Sequence, residues 1–275
     1  MQFFSYLING ISLGSVYALI ALGYTMVYGI AKMLNFAHGD VIMIGSYVVY
    51  FAFGASGLNP VLSIVLSMIV CTILGVVIER LAYRPLREAP SLAVLITAIG
   101  VSYLLQQVAQ LSWSSNPKSF TSVVSGMKPV SLFGGQLTIS AETIVTIVAC
   151  VVIMVVLMWF VNYTPAGHAM LAVSEDRGAA QLMGVNVNGT ISLTFAIGSA
   201  LAAIAGALLC SSYPTLQPTT GAMPGIKAFV AAVFGGIGSI PGAFVGGILL
   251  GIIENLSKAY ISSQLADAIV FLVLV

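Results

Sequence analysis

Residues 1–31 read MQFFSYLINGISLGSVYALIALGYTMVYGIA, a stretch without one charged side chain. A helix needs about 20 apolar residues to cross a bilayer, so this stretch can span and still carry an amphipathic lead. It is too long, and too lacking in a small-residue cleavage end, for a signal peptide, and is expected to be a span. Charge is equally absent from residues 41–78, 89–117, 143–174, 178–226 and 228–253. Across the 275 residues, 59% are hydrophobic and 6% charged, nine basic and eight acidic, with mean hydropathy +1.09. A soluble domain of this length carries on the order of seventy charges. A water-soluble enzyme, a nucleic-acid binder and a disordered tail are therefore excluded, because each needs a polar surface that these residues cannot supply.

Polar punctuation places the elements. Spans are predicted at residues 4–30, 36–53, 61–82, 92–111, 141–161 and 189–211. Between the third and fourth lies a polar segment carrying Arg80, Arg84 and Arg87. The stretch 112–140 is the longest non-apolar one, and its alternation over 130–139, broken by Phe133-Gly134-Gly135, predicts a small β-hairpin outside the lipid. Residues 163–188 form another loop, in which 167–183 is rich in Ala, Leu and Met yet carries Glu175, Asp176 and Arg177, predicting a helix at the interface. Beyond the sixth span, Pro214, Pro218 and Pro224 precede a helical piece at 227–234 too short to cross; 235–242 interrupts it and 243–253 resumes. Irregular backbone is tolerated in a membrane only where protein buries it or it lines a cavity, so this pair reads as a broken or re-entrant helix. An apolar run reaches Val275, so the last span is expected to continue past it. The sum is an all-α polytopic membrane protein, one domain over 1–275, with about eight to nine spans, half-helices included. Counting spans puts all four arginines on one side, which the positive-inside tendency makes cytoplasmic. Loop 163–188 is then cytoplasmic and loop 112–140 external.

The chemistry-bearing residues are few. Cys71, Cys150 and Cys210 each sit in an apolar run without His or acidic neighbours at metal-ligand spacing, and read as small core residues. No phosphate-binding P-loop occurs, and Gly235-Gly236-Ile237-Gly238 lacks the strand and acidic residue of a dinucleotide site, so no cofactor or metal is expected on this chain. Glycines one turn apart, Gly238, Gly242 and Gly246, then Gly247 and Gly251, predict close helix packing, as do Gly198, Ala202 and Gly206. Gly235, Gly236, Gly238 and Pro241, with Ser239 among them, break a helix too densely for packing alone and are candidates for the lining or hinge of a passage. At the start of the second span, Asn35, His38, Gly39 and Asp40 form the other candidate group: Asn35 is a plausible helix cap, and Asp40 lies in the first turn, where the dipole favours a carboxylate. Two positions apart, His38 and Asp40 do not share a helix face and are not expected to pair directly. Gln106 and Gln107, inside the fourth span, read as inter-helix hydrogen-bonding groups.

Several segments together resemble a known family. Asn9-Gly10 through Tyr17-Ala18 to Gly23, Asn35-Phe-Ala-His-Gly39-Asp40, Met43-Ile-Gly45-Ser-Tyr47, Glu79-Arg80-Leu-Ala-Tyr83-Arg84-Pro85-Leu86-Arg87 and Gly225-Ile-Lys227 through Gly235 to Gly242 resemble the LivH-type permease of branched-chain amino acid ABC transporters. The likeness extends over essentially the whole chain. It implies a multi-pass permease subunit of an ATP-driven importer in a bacterial cytoplasmic (inner) membrane, not itself an enzyme. Its implied partners are a second homologous permease, two ATP-binding subunits that hold ATP and Mg, and an extracytoplasmic binding protein delivering Leu, Ile or Val. The stretch from Ser174 to Gly184 resembles the cytoplasmic coupling segment of such importers, with Glu175, Asp176, Arg177, Ala179, Ala180 and Gly184 as the ATPase-coupling residues; Gly178 stands where many importers have Glu. A urea or amide importer permease is the near alternative. A stand-alone channel or secondary transporter is the alternative of another class. An intramembrane enzyme is disfavoured, because His38 and His168 fall in different loops with no nucleophile at suitable spacing.

Overall fold

The charge-free first stretch folds as one helix, α1 (Gln2–Ala31), and it is the axis of the molecule. A helix that is apolar on every side has to be enclosed, and α1 is buried almost continuously from Ser12 to Val27. The computed structural model describes residues 2–124, 126–132 and 137–274. Around α1 stand α5 (Ala141–Tyr163), α8 (Val187–Ser212), the short α9 (Ala222–Phe234) and α10 (Ile240–Tyr260). Against α8 also pack α2 (His38–Val49), whose first residues reach α1, and α3 (Pro60–Ile78), while α4 (Ser91–Trp113) lies against α2. Here α2 continues through a π-helical turn to Ala55, and α3 through another to Tyr83. Among the described residues, six helices are long and apolar enough to cross a membrane: α1, α3, α4, α5, α8 and α10. Leu62 and Ile73 of α3, Leu104 of α4 and Val152 of α5 are exposed, as lipid-facing residues must be.

Glycine decides how closely α1 meets α10. A Cβ on Gly10 would stand 2.9 Å from the Ile252 Cα, and one on Gly14 2.7 Å from the Ile248 Cα; Gly247 and Gly251 return the contact against Ala18 and Gly14. The expected small-residue packing is therefore present, and dispersion at near backbone-to-backbone distance holds the pair together. Gly251→Leu should force the helices apart, at a cost of about 1–3 kcal/mol or more against backbone that cannot yield. The check is a thermal aggregation midpoint in detergent; an unchanged midpoint would show that the interface tolerates the side chain.

Three expectations need correction. Asn35 does not cap the second helix: α2 starts at His38, Ala37 precedes it without a side-chain bond, and the Asn35 amide oxygen is occupied by the Tyr83 hydroxyl, 2.9 Å away. The interface helix is two helices, α6 (Pro165–Glu175) and α7 (Arg177–Leu182), because the Asp176 carboxylate accepts from the backbone of Gly178 at 2.7 Å and Ala179 at 3.0 Å and so starts a new helix. The resumed piece at 243–253 is a full-length helix, Ile240–Tyr260, since Glu254 is buried inside it rather than ending it.

The remaining elements are small. Strand β1 (Lys118–Ser119) pairs with β4 (Thr215–Leu216), tying the long loop to the segment after α8. Strands β2 (Val130–Leu132) and β3 (Leu137–Ile139) pair antiparallel, Val130 opposite Ile139; the Phe133-Gly134-Gly135 turn between them lies outside the described residues. A last short helix, α11 (Ala266–Leu272), packs on α9 and α10. All three cysteines are buried and free, as small core residues should be.

Candidate functional site

The segment after α1 turns at Asn35 and Phe36 and enters α2 beside the middle of α1. His38 lies against Gly23, where an added Cβ would stand 2.5 Å from its Nε2, and its ring sits 4.7 Å from that of Tyr24. Buried, this Nε2 has no hydrogen-bond partner among the described residues. Gly39 meets the start of α9: its Cβ would be 2.6 Å from the Gly221 carbonyl oxygen, and a Cβ on Gly225 would be 3.0 Å from the Gly39 Cα. Phe229, one turn further along α9, packs edge-on to Tyr24 at 5.8 Å and against Phe36 at 5.3 Å. So α1, α2 and the half-length α9 converge on His38 and Gly39, with aromatic rings sealing the side below.

Asp40 faces the other way. Its Oδ1 accepts from the Gln106 amide of α4 at 2.9 Å, the inter-helix bond expected of that glutamine, and Gln106 is itself 3.3 Å from the Ser102 hydroxyl. No ion pair joins Asp40 to His38 among the described residues. Gln106→Leu would leave a buried carboxylate without its amide donor, a loss of about 1–3 kcal/mol. The expected result is a lowered melting midpoint, rescued in Gln106→Leu combined with Asp40→Leu; no recovery in the double variant would mean that Asp40 has a role apart from this bond.

The glycine-rich candidates form a separate feature at the other end of α9. Gly236 and Gly238 have φ of +89° and +100°, conformations open to glycine but strained for other residues. They reverse the chain, while Gly235 lies backbone to backbone on Gly242 and the Ser239 hydroxyl accepts from the Gly242 amide at 3.2 Å to cap α10. Pro241 sits in the first turn of α10, where its missing amide proton leaves no bond unmade. Gly238 also touches Gly29 near the end of α1. Thus α9 connects the two candidate groups: its start rests on Gly39 and its end is the glycine turn.

At the same end of the molecule the α6–α7 hairpin projects. Arg177 donates to the carbonyl oxygen of Ala31, the last residue of α1. Burial lowers the affinity of the Arg177 guanidinium for its proton below the usual value, and nearby Arg87 adds to the effect. Ala180 is buried, whereas Glu175, Asp176 and Ala179 are exposed. Gly184, at φ +86°, ends α7, leaving Leu182 and Met183 89% and 84% exposed at the tip. The tip of the hairpin is thus apolar. Close by, Glu79 is fully buried and accepts from Arg87 and, at 2.6 Å, from the Ser192 hydroxyl of α8, while Arg87 also donates to Asn188. The arginine segment after α3 is thereby fastened to the start of α8.

A second cluster had no place in the sequence reading. Lys227 of α9 lies 2.8 Å from the Glu254 carboxylate of α10 and 2.6 Å from Asp267 of α11. The same Glu254 oxygen is 2.6 Å from Lys258, and its other oxygen accepts from the Tyr17 hydroxyl of α1 at 2.8 Å. The signal was available: Lys227 and Glu254 are lone opposite charges set in apolar runs, and a charge in lipid-embedded helix needs a partner. Among the described residues, no group of three His, Cys, Asp or Glu side chains could hold a metal ion.

These features define a polytopic helical membrane protein with a polar helix crossing inside and an apolar-tipped hairpin outside. Its family follows from comparison. The family model described as branched-chain amino acid transport system / permease component matches residues 6–275, and the chain belongs to that family. It is 43% identical to the high-affinity branched-chain amino acid transport system permease protein LivH of Escherichia coli K12, over 100% of this chain and 92% of that protein. With the corresponding permease BraD of Pseudomonas aeruginosa it shares 44% identity, over 96% and 89%. With the probable branched-chain amino acid transport permease LivH of Methanocaldococcus jannaschii it shares 32%, over 89% and 78%.

Proposed function

We propose that this chain is the permease subunit of an ATP-driven importer for leucine, isoleucine and valine, working with a second homologous permease, two ATP-binding subunits and an external binding protein in a bacterial inner membrane. Full-length similarity to LivH and BraD is the observation that carries the reading. Position supports the rest. The arginine segment and the Arg177 hairpin lie at one end, the cytoplasmic one by the positive-inside tendency. We count α2 with its π-turn and the half-helix α9 beside the six long helices as membrane elements, and place the β2–β3 pair outside.

The α6–α7 hairpin, with Glu175, Asp176, Arg177, Ala179, Ala180 and Gly184, is the docking point for an ATP-binding subunit, and the bare Leu182 and Met183 suit an apolar groove. Closure of the ATP-binding subunits would move this hairpin, and the Arg177 bond passes the motion to α1. Because α1 is packed through glycine onto α10, the α9–α10 turn at Gly235, Gly236, Gly238, Ser239 and Pro241 moves with it, as rigid helices swinging about a hinge. The convergence of Asn35, His38, Gly39 and Asp40 with α9 is then the gate that opens to one side at a time.

Reconstitution of the complete transporter in proteoliposomes tests the reading. Labelled leucine should accumulate only with ATP and binding protein, and not with catalytically dead ATP-binding subunits. Uptake that persists with dead subunits would make the chain a channel or secondary transporter; urea uptake in place of leucine uptake would overturn the substrate.

A further inference from the structure

We propose that the Lys227–Glu254 pair is a station at which the permease binds the ammonium and carboxylate of a free amino acid during its passage. The inference rests on the transport reading above and adds where the substrate's charges are met.

A cavity of about 210 Å³ opens on Lys227, Glu254 and Lys258, far above the roughly 10–15 Å³ that one water needs. Its other walls include Leu13, Leu209 and Met223 together with the hydroxyl-bearing Tyr17, Tyr213 and Thr220, so charged, polar and aliphatic groups line one space. Apolar walls with a few convergent polar groups are the usual make-up of a small-molecule site, and this arrangement matches an amino acid with a branched aliphatic side chain. A second cavity of about 400 Å³ shares Leu13 and Tyr213 with the first and continues past Asn9 and Ser12 toward the start of α1. That is the end opposite the arginines, from which a substrate would arrive.

The charges themselves argue for more than packing. A buried ion pair contributes little that well-fitted apolar residues could not, once desolvation is counted, and charges inside membrane proteins mark substrate routes. Two cations and two carboxylates make the cluster neutral as it stands. A zwitterion entering with its carboxylate on Lys227 and its ammonium on Glu254 keeps that balance, while Asp267, 47% exposed, and Lys258, 39% exposed, can turn to water. A single ion set between Lys227 and Glu254 would leave one of the two charges unpaired, and a neutral solute would gain nothing by separating them.

The test uses Met223→Cys in the complete reconstituted transporter, since Met223 lines the cavity and is 43% exposed while the three native cysteines are buried. A membrane-impermeant maleimide should label it, and leucine at about twice its Kd should slow labelling about threefold, by the factor 1 + [L]/Kd. Leucinamide, lacking the carboxylate, and 4-methylpentanoate, lacking the ammonium, should give no protection. Lys227→Gln in the same background should remove the protection by leucine. If leucine fails to protect while Met223→Cys still carries out ATP-driven leucine uptake, the station is overturned and the transport reading stands. Equal protection by all three compounds overturns recognition of the two charges, an outcome that needs no charge variant to fold. A wild-type transporter that moves no leucine overturns the functional reading itself.

Discussion

Arg177→Glu is expected to abolish ATP-driven leucine uptake while leaving insertion into the membrane near its normal level. The guanidinium reaches from the first residue of α7 to the Ala31 carbonyl at the end of α1, where the aligned peptide dipoles leave partial negative charge. A hydrogen bond from a charged group contributes about 1.5–3 kcal/mol. Glutamate removes that bond and sets a carboxylate against the carbonyls, so the expected fall in uptake is about 100-fold, the order that such an energy allows. Because position 177 lies outside the six helices long and apolar enough to cross a membrane, the apolar segments that direct insertion are untouched. ATP hydrolysis should continue at its basal rate but no longer rise when loaded binding protein is added. Gly184→Leu should have the same effect by another route: φ of +86° suits glycine and costs a side-chain-bearing residue about 1–2 kcal/mol, which would unseat the end of α7. Normal uptake in both variants would remove the hairpin from the coupling path.

What could be read beforehand depended on how local the cause was. Residues 1–31 form a span because every side chain in them is uncharged, and composition alone decides that. Gln106 pairs with Asp40 because a half-buried amide in an apolar helix has few other choices. The break at Asp176 was legible in principle, since aspartate before Arg-Gly-Ala-Ala is a helix-capping pattern, but the apolar residues on either side masked it. The partner of Asn35 escapes a local reading because Tyr83 stands on another helix, and nothing near Asn35 points to it. The two-residue strands β1 and β4 are too short to carry any periodicity. Lys227 and Glu254 each close an apolar run when considered alone, and only folding brings the two together.

That last pair supports the second large effect, a loss of stability in Glu254→Leu. Glu254 is 1% exposed and serves three donors, Lys227, Lys258 and the Tyr17 hydroxyl. Removing one partner of a buried ion pair costs about 3–5 kcal/mol, because the other charge is left desolvated. Asp267 still reaches Lys227, so the lower end, about 3 kcal/mol, is expected. The thermal midpoint of the detergent-purified protein should fall accordingly. Glu254→Leu with Lys227→Met should recover most of the loss, since the charges that remain, on Asp267 and Lys258, are both partly exposed and can be hydrated. A double variant as unstable as the single one would mean that the penalty arises from the fit of the leucine and not from an abandoned charge. The same double variant separates structure from transport. If the cluster only holds α1, α9, α10 and α11 together, restoring stability restores uptake. If it receives the substrate, the double variant is folded, inserted and still unable to carry leucine, because an apolar cavity offers nothing to a zwitterion's two charges.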